Sequence, residues 1–234
     1  IDMKLSPRME TIAGFVKEGA VIADIGTDHG YIPVELVKRG VVQKAIASDI
    51  NEGPLENARE YVKENKLEDR IDIRLGGGLA TVSPDEVEQA IVAGMGGALI
   101  AEILEESKEV TESIKSFVFQ PMVGMVELRK YLYENGYRVV SEKLAREGEK
   151  FYQILLVEHG QEDEIGSDIY FEISAKLLES KDPILAEFLE YKIEKLKKII
   201  DGMPENSTGK TAEKRAEIES KLAAYKEVYE VVVK

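Results

Sequence analysis

Through the first 160 residues, short strand-like runs alternate with longer segments of helical spacing, and few folds accommodate that rhythm. The strand candidates lie at residues 20–24, 45–49, 71–75, 90–93 and 117–120. Between them, segments such as 54–64 carry Leu55, Ala58 and Val62 on one helical face. Crossovers of that kind join parallel strands, so the pattern predicts an α/β domain whose sheet is covered on both faces. Residues 137–143 and 151–158 then read as two more strands joined by a short polar link at 146–150. That is a hairpin, so the expected seven-stranded, mostly parallel sheet ends with an antiparallel strand.

The composition changes at the polar stretch 159–164, beyond which every segment reads as helix. From Pro183, apolar residues recur at Leu185, Phe188, Leu189, Ile193, Leu196, Ile199 and Ile200. A breaker-rich run at 202–209 follows, and then a second helix with Ile218, Leu222, Tyr225, Val228, Tyr229 and Val232. Two amphipathic helices so joined form an antiparallel, coiled-coil-like hairpin. The expected organisation is an α/β domain over 3–160 and a small all-α domain over 161–234.

Composition removes several classes of chemistry. The chain has 234 residues, 44% apolar and 32% charged, as in soluble globular proteins. No apolar run approaches the roughly 20 residues of a membrane span, and no signal-peptide pattern opens the chain. Ile1 and Asp2, ahead of Met3, read as a tag. With no cysteine and two histidines, disulfides, thiol chemistry and a Cys/His zinc site are excluded, and no metal is expected. A cytoplasmic enzyme, most simply a monomer, fits best. The net charge of −14 argues against a nucleic-acid partner, although local charge matters more than the total.

The most informative motif follows the first strand: Asp24-Ile25-Gly26-Thr27-Asp28-His29-Gly30. Open α/β sheets bind ligands at the carboxyl ends of their strands, and a glycine there admits a ligand close to the backbone. A dinucleotide fingerprint aligned on Gly26 would need glycines where Asp24 and His29 stand. Acidic Asp24 and Asp28 would repel a diphosphate and suit a cationic, amine-bearing ligand such as S-adenosylmethionine. Asp49, ending the second strand, is placed to accept the ribose hydroxyls of an adenosine. Gly76-Gly77-Gly78 after the third strand offers a slot for a flat ring, and Ala93-Gly94-Met95 after the fourth leaves room for a reacting centre. Each motif also has a purely structural reading, as a tight turn or an ordinary loop carboxylate.

Taken with Leu5-Ser6-Pro7-Arg8-Met9, Tyr31-Ile32-Pro33, Glu52-Gly53-Pro54, Gly96-Gly97, Gln120-Pro121 and Phe151-Tyr152-Gln153-Ile154, these runs resemble the TrmK family. Its members are bacterial tRNA methyltransferases that modify N1 of adenine. The resemblance spans nearly the whole chain. It implies a Rossmann-like class I methyltransferase domain, S-adenosylmethionine as cofactor, tRNA as partner with adenine 22 as target, and a coiled-coil tail that engages tRNA. It places Asp24, Gly26, Thr27, Asp28 and His29 around the methionine part of the cofactor and Asp49 at the ribose, with Ile50 also among the cofactor residues. Gly76, Gly77 and Gly78 fall at the adenine, and Ala93, Gly94 and Met95 near the methyl group. Asp28 matches a carboxylate implicated in catalysis.

Arg8, a cation in a helix's first turn, opposes the macrodipole, which points either to a contact with phosphate or a carboxylate near the cofactor or to a plain surface arginine. Gln120 and Pro121 are candidates for the target base. Residues 161–234 hold 12 basic and 17 acidic side chains, yet Lys195 and Lys198 close one helix while Lys210 and Lys214 open the next, making a locally basic tip. Solvated faces of alternating charge are the plainer reading of those lysines.

Three positions depart from the family's pattern: Gly77 stands where an acidic or amide residue is usual, Met122 where asparagine follows Gln-Pro, and Gly30 where alanine is frequent. The first two bear on which substrate is selected. The neutral N1 of adenine has a free lone pair, so alignment supplies much of the catalysis. A carboxylate near N6, Asp28 by expectation, would stabilise the charge that develops on the base or accept an N6 proton. N1 lies on the pairing edge, so the base must be unpaired or extruded. Two other readings stand beside this one: a small-molecule methyltransferase, and a non-catalytic interaction module with a vestigial nucleotide pocket.

Overall fold

The computed structural model describes residues 4–204 and 208–234. Residues 1–3 and part of the breaker run, 205–207, lie outside the described residues. The chain divides into two compact units, Ile1–Glu164 and Ile165–Lys234.

The first unit runs α1 (Pro7–Ala13), β1 (Ile22–Ile25), α2 (Tyr31–Lys38), β2 (Ala45–Asp49), α3 (Glu52–Glu64), β3 (Ile71–Leu75), a 3-10 turn (Gly78–Thr81) and β4 (Gln89–Gly96). It continues through α4 (Gly97–Glu106), α5 (Lys108–Ser113), β5 (Ser116–Val123), α6 (Met125–Glu134), β6 (Tyr137–Glu147) and β7 (Lys150–His159). The seven strands form one sheet in the order β3-β2-β1-β4-β5-β7-β6. β1 to β5 pair in parallel, and β7 pairs antiparallel with both β5 and β6. The antiparallel strand is thus last in the chain but not at the edge: the hairpin inserts β7 between β5 and β6. The order reverses between β1 and β4, which opens a crevice at their carboxyl ends.

Side chains alternate between two cores, as the period of a strand requires. Ala23, Ala90, Val92, Phe117 and Phe119 face one, with Ile100, Leu104 and Leu128 from the helices. Ile22, Ile91 and Val118 face the other, with Ile12, Ile32, Leu36 and Val62. Burial on both faces explains why these strands read as continuous apolar runs.

Strand lengths differ from the sequence expectation where local chemistry misleads. β4 continues past residue 93 through a bulge, pairing Met95 with Pro121 and Gly96 with Val123. Glycine and proline argue against a strand on propensity, but bulges accept both. The hairpin turn is only Gly148-Glu149, with Gly148 at φ +60, the position at which a type II′ turn takes glycine. After β7 the chain stays on the sheet unit: Gly160 N donates to Gly136 O, and Val139 N to Glu162 Oε2 at 2.7 Å. These bonds keep residues 160–164 with the first unit.

The second unit contains α7 (Ile169–Glu172), α8 (Ala175–Glu179), α9 (Leu185–Asp201) and α10 (Lys210–Val232). α9 and α10 run antiparallel: Arg215 Nη1 reaches the carbonyls of Ile200 and Met203, while Tyr229 OH donates to Glu190. Leu185, Phe188, Leu189 and Ile193 of α9 and Ile218, Tyr225 and Val228 of α10 are buried. Among the described residues no helix is long and apolar enough to cross a membrane, and no acidic or histidine cluster is arranged to hold a metal ion.

One buried ion pair locks α6 to the hairpin. Arg129 Nη2 donates to both oxygens of the fully buried Glu142 at 2.7 Å, and Gln153 Nε2 adds a bond at 3.2 Å. Removing one member strands a buried charge, whereas replacing both by apolar residues removes the need for compensation. Arg129→Met should therefore cost roughly 3–5 kcal/mol in urea unfolding, and Arg129→Met with Glu142→Leu should recover most of it.

Candidate active site

The crevice is built at the turn after β1. The amides of Gly26 and Thr27 both donate to Ser48 O of β2, at 2.8 and 2.9 Å. Gly26, Asp28 and Gly30 all have positive φ (+71, +56 and +72), so the turn winds tightly before α2 begins. At Gly26 a side chain has no room: an added Cβ would lie 2.4 Å from Met95 Cε, the residue that reaches across from β4. The glycine that keeps the backbone open therefore sits against the methionine expected near the reacting centre.

Asp24 is buried and forms no ion pair among the described residues; its Oδ2 accepts from Thr27 Oγ1 at 2.7 Å. Burial pushes its carboxyl up to about 6, opposed by the Thr27 hydroxyl, helped by the charge of Asp49 and opposed again by that of Arg8. A buried carboxylate so poorly compensated is a ready partner for a cation. Asp49 ends β2 with Oδ1 accepting from Asn51 N at 2.9 Å, and its carbonyl accepts from Gly76 N at 2.9 Å, which brings the triglycine turn beside it. At Gly77 an added Cβ would only touch Ile50 Cδ1, at 3.5 Å, and Ile50 itself is exposed, as is Leu75. Together they outline an apolar slot. Gly78 has φ +52 and faces Ile103, so it serves the packing of α4 as well as the turn.

Arg8 lies at the meeting point of four elements. Ser6 caps α1 by accepting from Met9 N, and Pro7 has no amide hydrogen to satisfy. The remaining first-turn amide, Arg8 N, donates to Glu147 Oε1 at 2.9 Å from the end of β6. That carboxylate takes the place of a second cap at the positive end of the helix. The guanidinium donates from Nη1 to Gln120 Oε1 at 2.8 Å and lies 5.4 Å over the Tyr152 ring. The space a Cβ of Gly94 would fill, in the β4 bulge, is 3.8 Å from the same Nη1. Arg8 thus looks onto the crevice from the side opposite Asp49.

Gln120 and Pro121, the candidates for the target base, lie behind the rim. Both are buried, and Gln120 spends its carbonyl on Arg8 and its amide on Pro121 O and Met122 Sδ. The exposed side chains at that rim are Met122 and Val123. The strand continues through this pair, so the side chains alternate inward, and Gln120 orients Arg8 instead of facing the opening. Glu147 and Tyr152 complete that bracket. Tyr152 belongs to a run the resemblance singles out; Glu147, at the far end of the domain, has no local sequence signal.

Asp28 and His29 stand at the mouth. The Asp28 side chain is 68% exposed, with Oδ2 3.6 Å from His29 Nε2. In the second unit, Lys195 lies over the Tyr191 ring, and Lys214 pairs with Glu217 at 2.9 Å. Lys198 and Lys210 are exposed and make no ion pair among the described residues. The tip is therefore less basic than its lysine count suggests, with these two as its uncommitted charges.

Comparison with known proteins bears on this arrangement. The family TrmK, tRNA (adenine(22)-N(1))-methyltransferase, matches residues 22–227. The tRNA (adenine(22)-N(1))-methyltransferase of Bacillus subtilis is 38% identical over 162 residues, 69% of this chain and 68% of that protein. The solved structure of B. subtilis TrmK superposes with a TM-score of 0.87 over 97% of this chain and all of that one, at 31% identity. A Streptococcus pneumoniae protein solved in complex with S-adenosyl-L-methionine gives a TM-score of 0.86 at 35% identity, covering 97% of this chain and 100% of that one. M. capricolum TrmK, solved with S-adenosyl-homocysteine, gives 0.84 at 26% identity, covering 98% and 100%.

Asp24 makes the stability of the protein depend on pH in a defined direction. The folded carboxyl titrates near 6 and the unfolded one near the ordinary aspartate value of about 3.9, so the folded state holds this proton more tightly. The contribution is complete below the unfolded value and is lost as pH rises through about 6, amounting to roughly 2–3 kcal/mol. Asp24→Asn should remove this dependence, so urea midpoints of the variant should vary less between about pH 4 and 7 than those of the parent.

Proposed function

The chain belongs to the TrmK family of tRNA (adenine(22)-N(1))-methyltransferases, and from that premise we propose how its own residues transfer a methyl group to N1 of adenine 22 in tRNA. The observation that carries the reading is the buried, cation-seeking Asp24 beside a glycine turn at the point where the strand order reverses. S-adenosylmethionine suits the donor set. Asp24, steadied by Thr27, would face its ammonium, and Arg8 its carboxylate. Asp49 would accept from the ribose hydroxyls, and the slot formed by Ile50, Gly76, Gly77 and Gly78 would take the adenine ring. Gly26 and Gly94 leave the backbone bare on either side, with Ala93 and Met95 walling the space between.

When bound, this cofactor supplies an electrophilic methyl group. The protein's part is alignment and charge: nucleophile, methyl and sulfur are brought into line, which replaces a bimolecular encounter by a local one. As positive charge grows on the base, the exposed Asp28 carboxylate stabilises it from the amine edge. Arg8, a cation in the same crevice, would oppose that charge if free; Gln120 holds its guanidinium, and Glu147 fixes the backbone amide beneath it. Lys198 and Lys210 would meet the phosphate backbone. We take the working protein to be a cytoplasmic monomer. In support, Ile50, Leu75, Leu99, Met122 and Val123 expose apolar surface at the carboxyl ends of the strands and the start of α4, where cofactor and substrate would cover it.

The test is to incubate the protein with methyl-labelled S-adenosylmethionine and unmodified bacterial tRNA, then digest and identify the labelled nucleoside. Label is expected in 1-methyladenosine. No label in tRNA, with cofactor still bound, would sink the reading in favour of a small-molecule acceptor. Asp28→Ala should lower kcat on the order of 100-fold while the cofactor Kd stays within about twofold. Full turnover by that variant would remove Asp28 from the mechanism.

A further inference from the structure

The turn that carries Asp28 also carries an aromatic stack that the cofactor assignment does not use. The His29 imidazole lies almost parallel to the Tyr31 ring, with centroids 5.1 Å apart and planes 18° apart. Tyr31 is in turn braced edge-on by Tyr61 of α3, at 5.1 Å and 85°. Tyr31 is half-buried, while the His29 side chain keeps 38% of its surface open. The result is a flat ring, backed by two more and presented at the carboxyl end of β1. The Asp28 carboxylate lies 3.6 Å from its Nε2, at the edge of that ring.

We propose that the His29–Tyr31 stack is the shelf on which the extruded adenine of tRNA rests, with Asp28 beside its exocyclic amine. The proposal rests on the methyltransferase reading above and adds the surface that holds the target. Unpaired bases are held by stacking on aromatic faces, and a carboxylate at the edge of the shelf accepts from an amine but repels a carbonyl oxygen. Adenine and cytosine carry such an amine; uracil does not. The shelf therefore favours a base of the right kind without any hydrogen bond from Met122 at the rim. His29 then serves the acceptor and not the methionine part of the cofactor, where the sequence resemblance put it.

His29 keeps 38% of its side-chain surface open, so the variants should fold as the parent does, and measurements on the full chain separate the outcomes. His29→Ala should raise the KM for unmodified tRNA about tenfold while the Kd for S-adenosylmethionine stays within about twofold. His29→Phe, which keeps a flat ring and loses the ring nitrogens, should recover most of that loss. An unchanged KM in His29→Ala overturns the shelf and leaves the methyltransferase reading standing. So does a Kd for S-adenosylmethionine that weakens with KM, which assigns the ring to the cofactor. Failure of His29→Phe to improve on His29→Ala also overturns it, because stacking would not then be the interaction. Absence of tRNA labelling by the unaltered protein overturns the underlying reading and the shelf with it.

Discussion

A parallel strand buried on both faces can present polar groups only at its ends, and that constraint organises this molecule. β1 lies between β2 and β4 with all four of its residues buried, Asp24 included. A carboxylate in that setting is expensive unless something at the strand end compensates it. Thr27 does so in part, by a hydroxyl three residues on, and the turn that brings Thr27 back is held by the carbonyl of Ser48. The same turn exposes Asp28 and His29. Fold and site are here one arrangement, because the backbone path that satisfies Asp24 also sets out the groups at the mouth.

The opposite wall has a different origin. Arg8 comes from the first helix, and the groups that fix it come from β5, β6 and β7. None of these contacts is worth much singly at a half-exposed site. Together they leave the guanidinium little freedom, since Gln120 holds one end, Tyr152 one face, and Glu147 the backbone beneath. Gln120 is itself fixed by its bonds to Pro121 and Met122, so the bulged pairing of β4 with β5 reaches the cation through one amide side chain.

The sequence is most legible where signals are local and periodic. Five parallel strands, the closing hairpin and the two long helices follow from spacing alone, and the resemblance identifies the family before any coordinate is used. The strand order, which puts β7 inside and β6 at the edge, depends on hydrogen bonds between distant segments. Residues 93–96 and 120–123 show why ends are harder: glycine and proline are poor strand formers, yet the two segments pair across a bulge, Met95 with Pro121 and Gly96 with Val123, and continue the sheet. Gln120 lies inside the expected strand 117–120, but spacing says nothing of the partner its side chain takes, and that partner, Arg8, is 112 residues away. Asp24, Gly26 and Asp49 needed only their place at strand ends. Glu147 could not be found that way, because its importance lies in a bond to an amide 139 residues earlier.

That long separation has a consequence for how the protein is made. Synthesis proceeds from the amino terminus, and domains tend to fold as their segments emerge. α1 leaves the ribosome before any strand of the sheet, yet the acceptor for its first-turn amide is Glu147, and the aromatic face beneath its arginine arrives with Tyr152. The β1 turn can close as soon as Ser48 is available, about a hundred residues earlier in synthesis. The two walls of the crevice are therefore completed at different times. The wall carrying Asp24 comes early, and the one carrying Arg8 only when the hairpin has emerged. A nascent chain stalled before residue 147 would hold half a crevice, a sheet without its last two strands, and a first helix still waiting for its anchor.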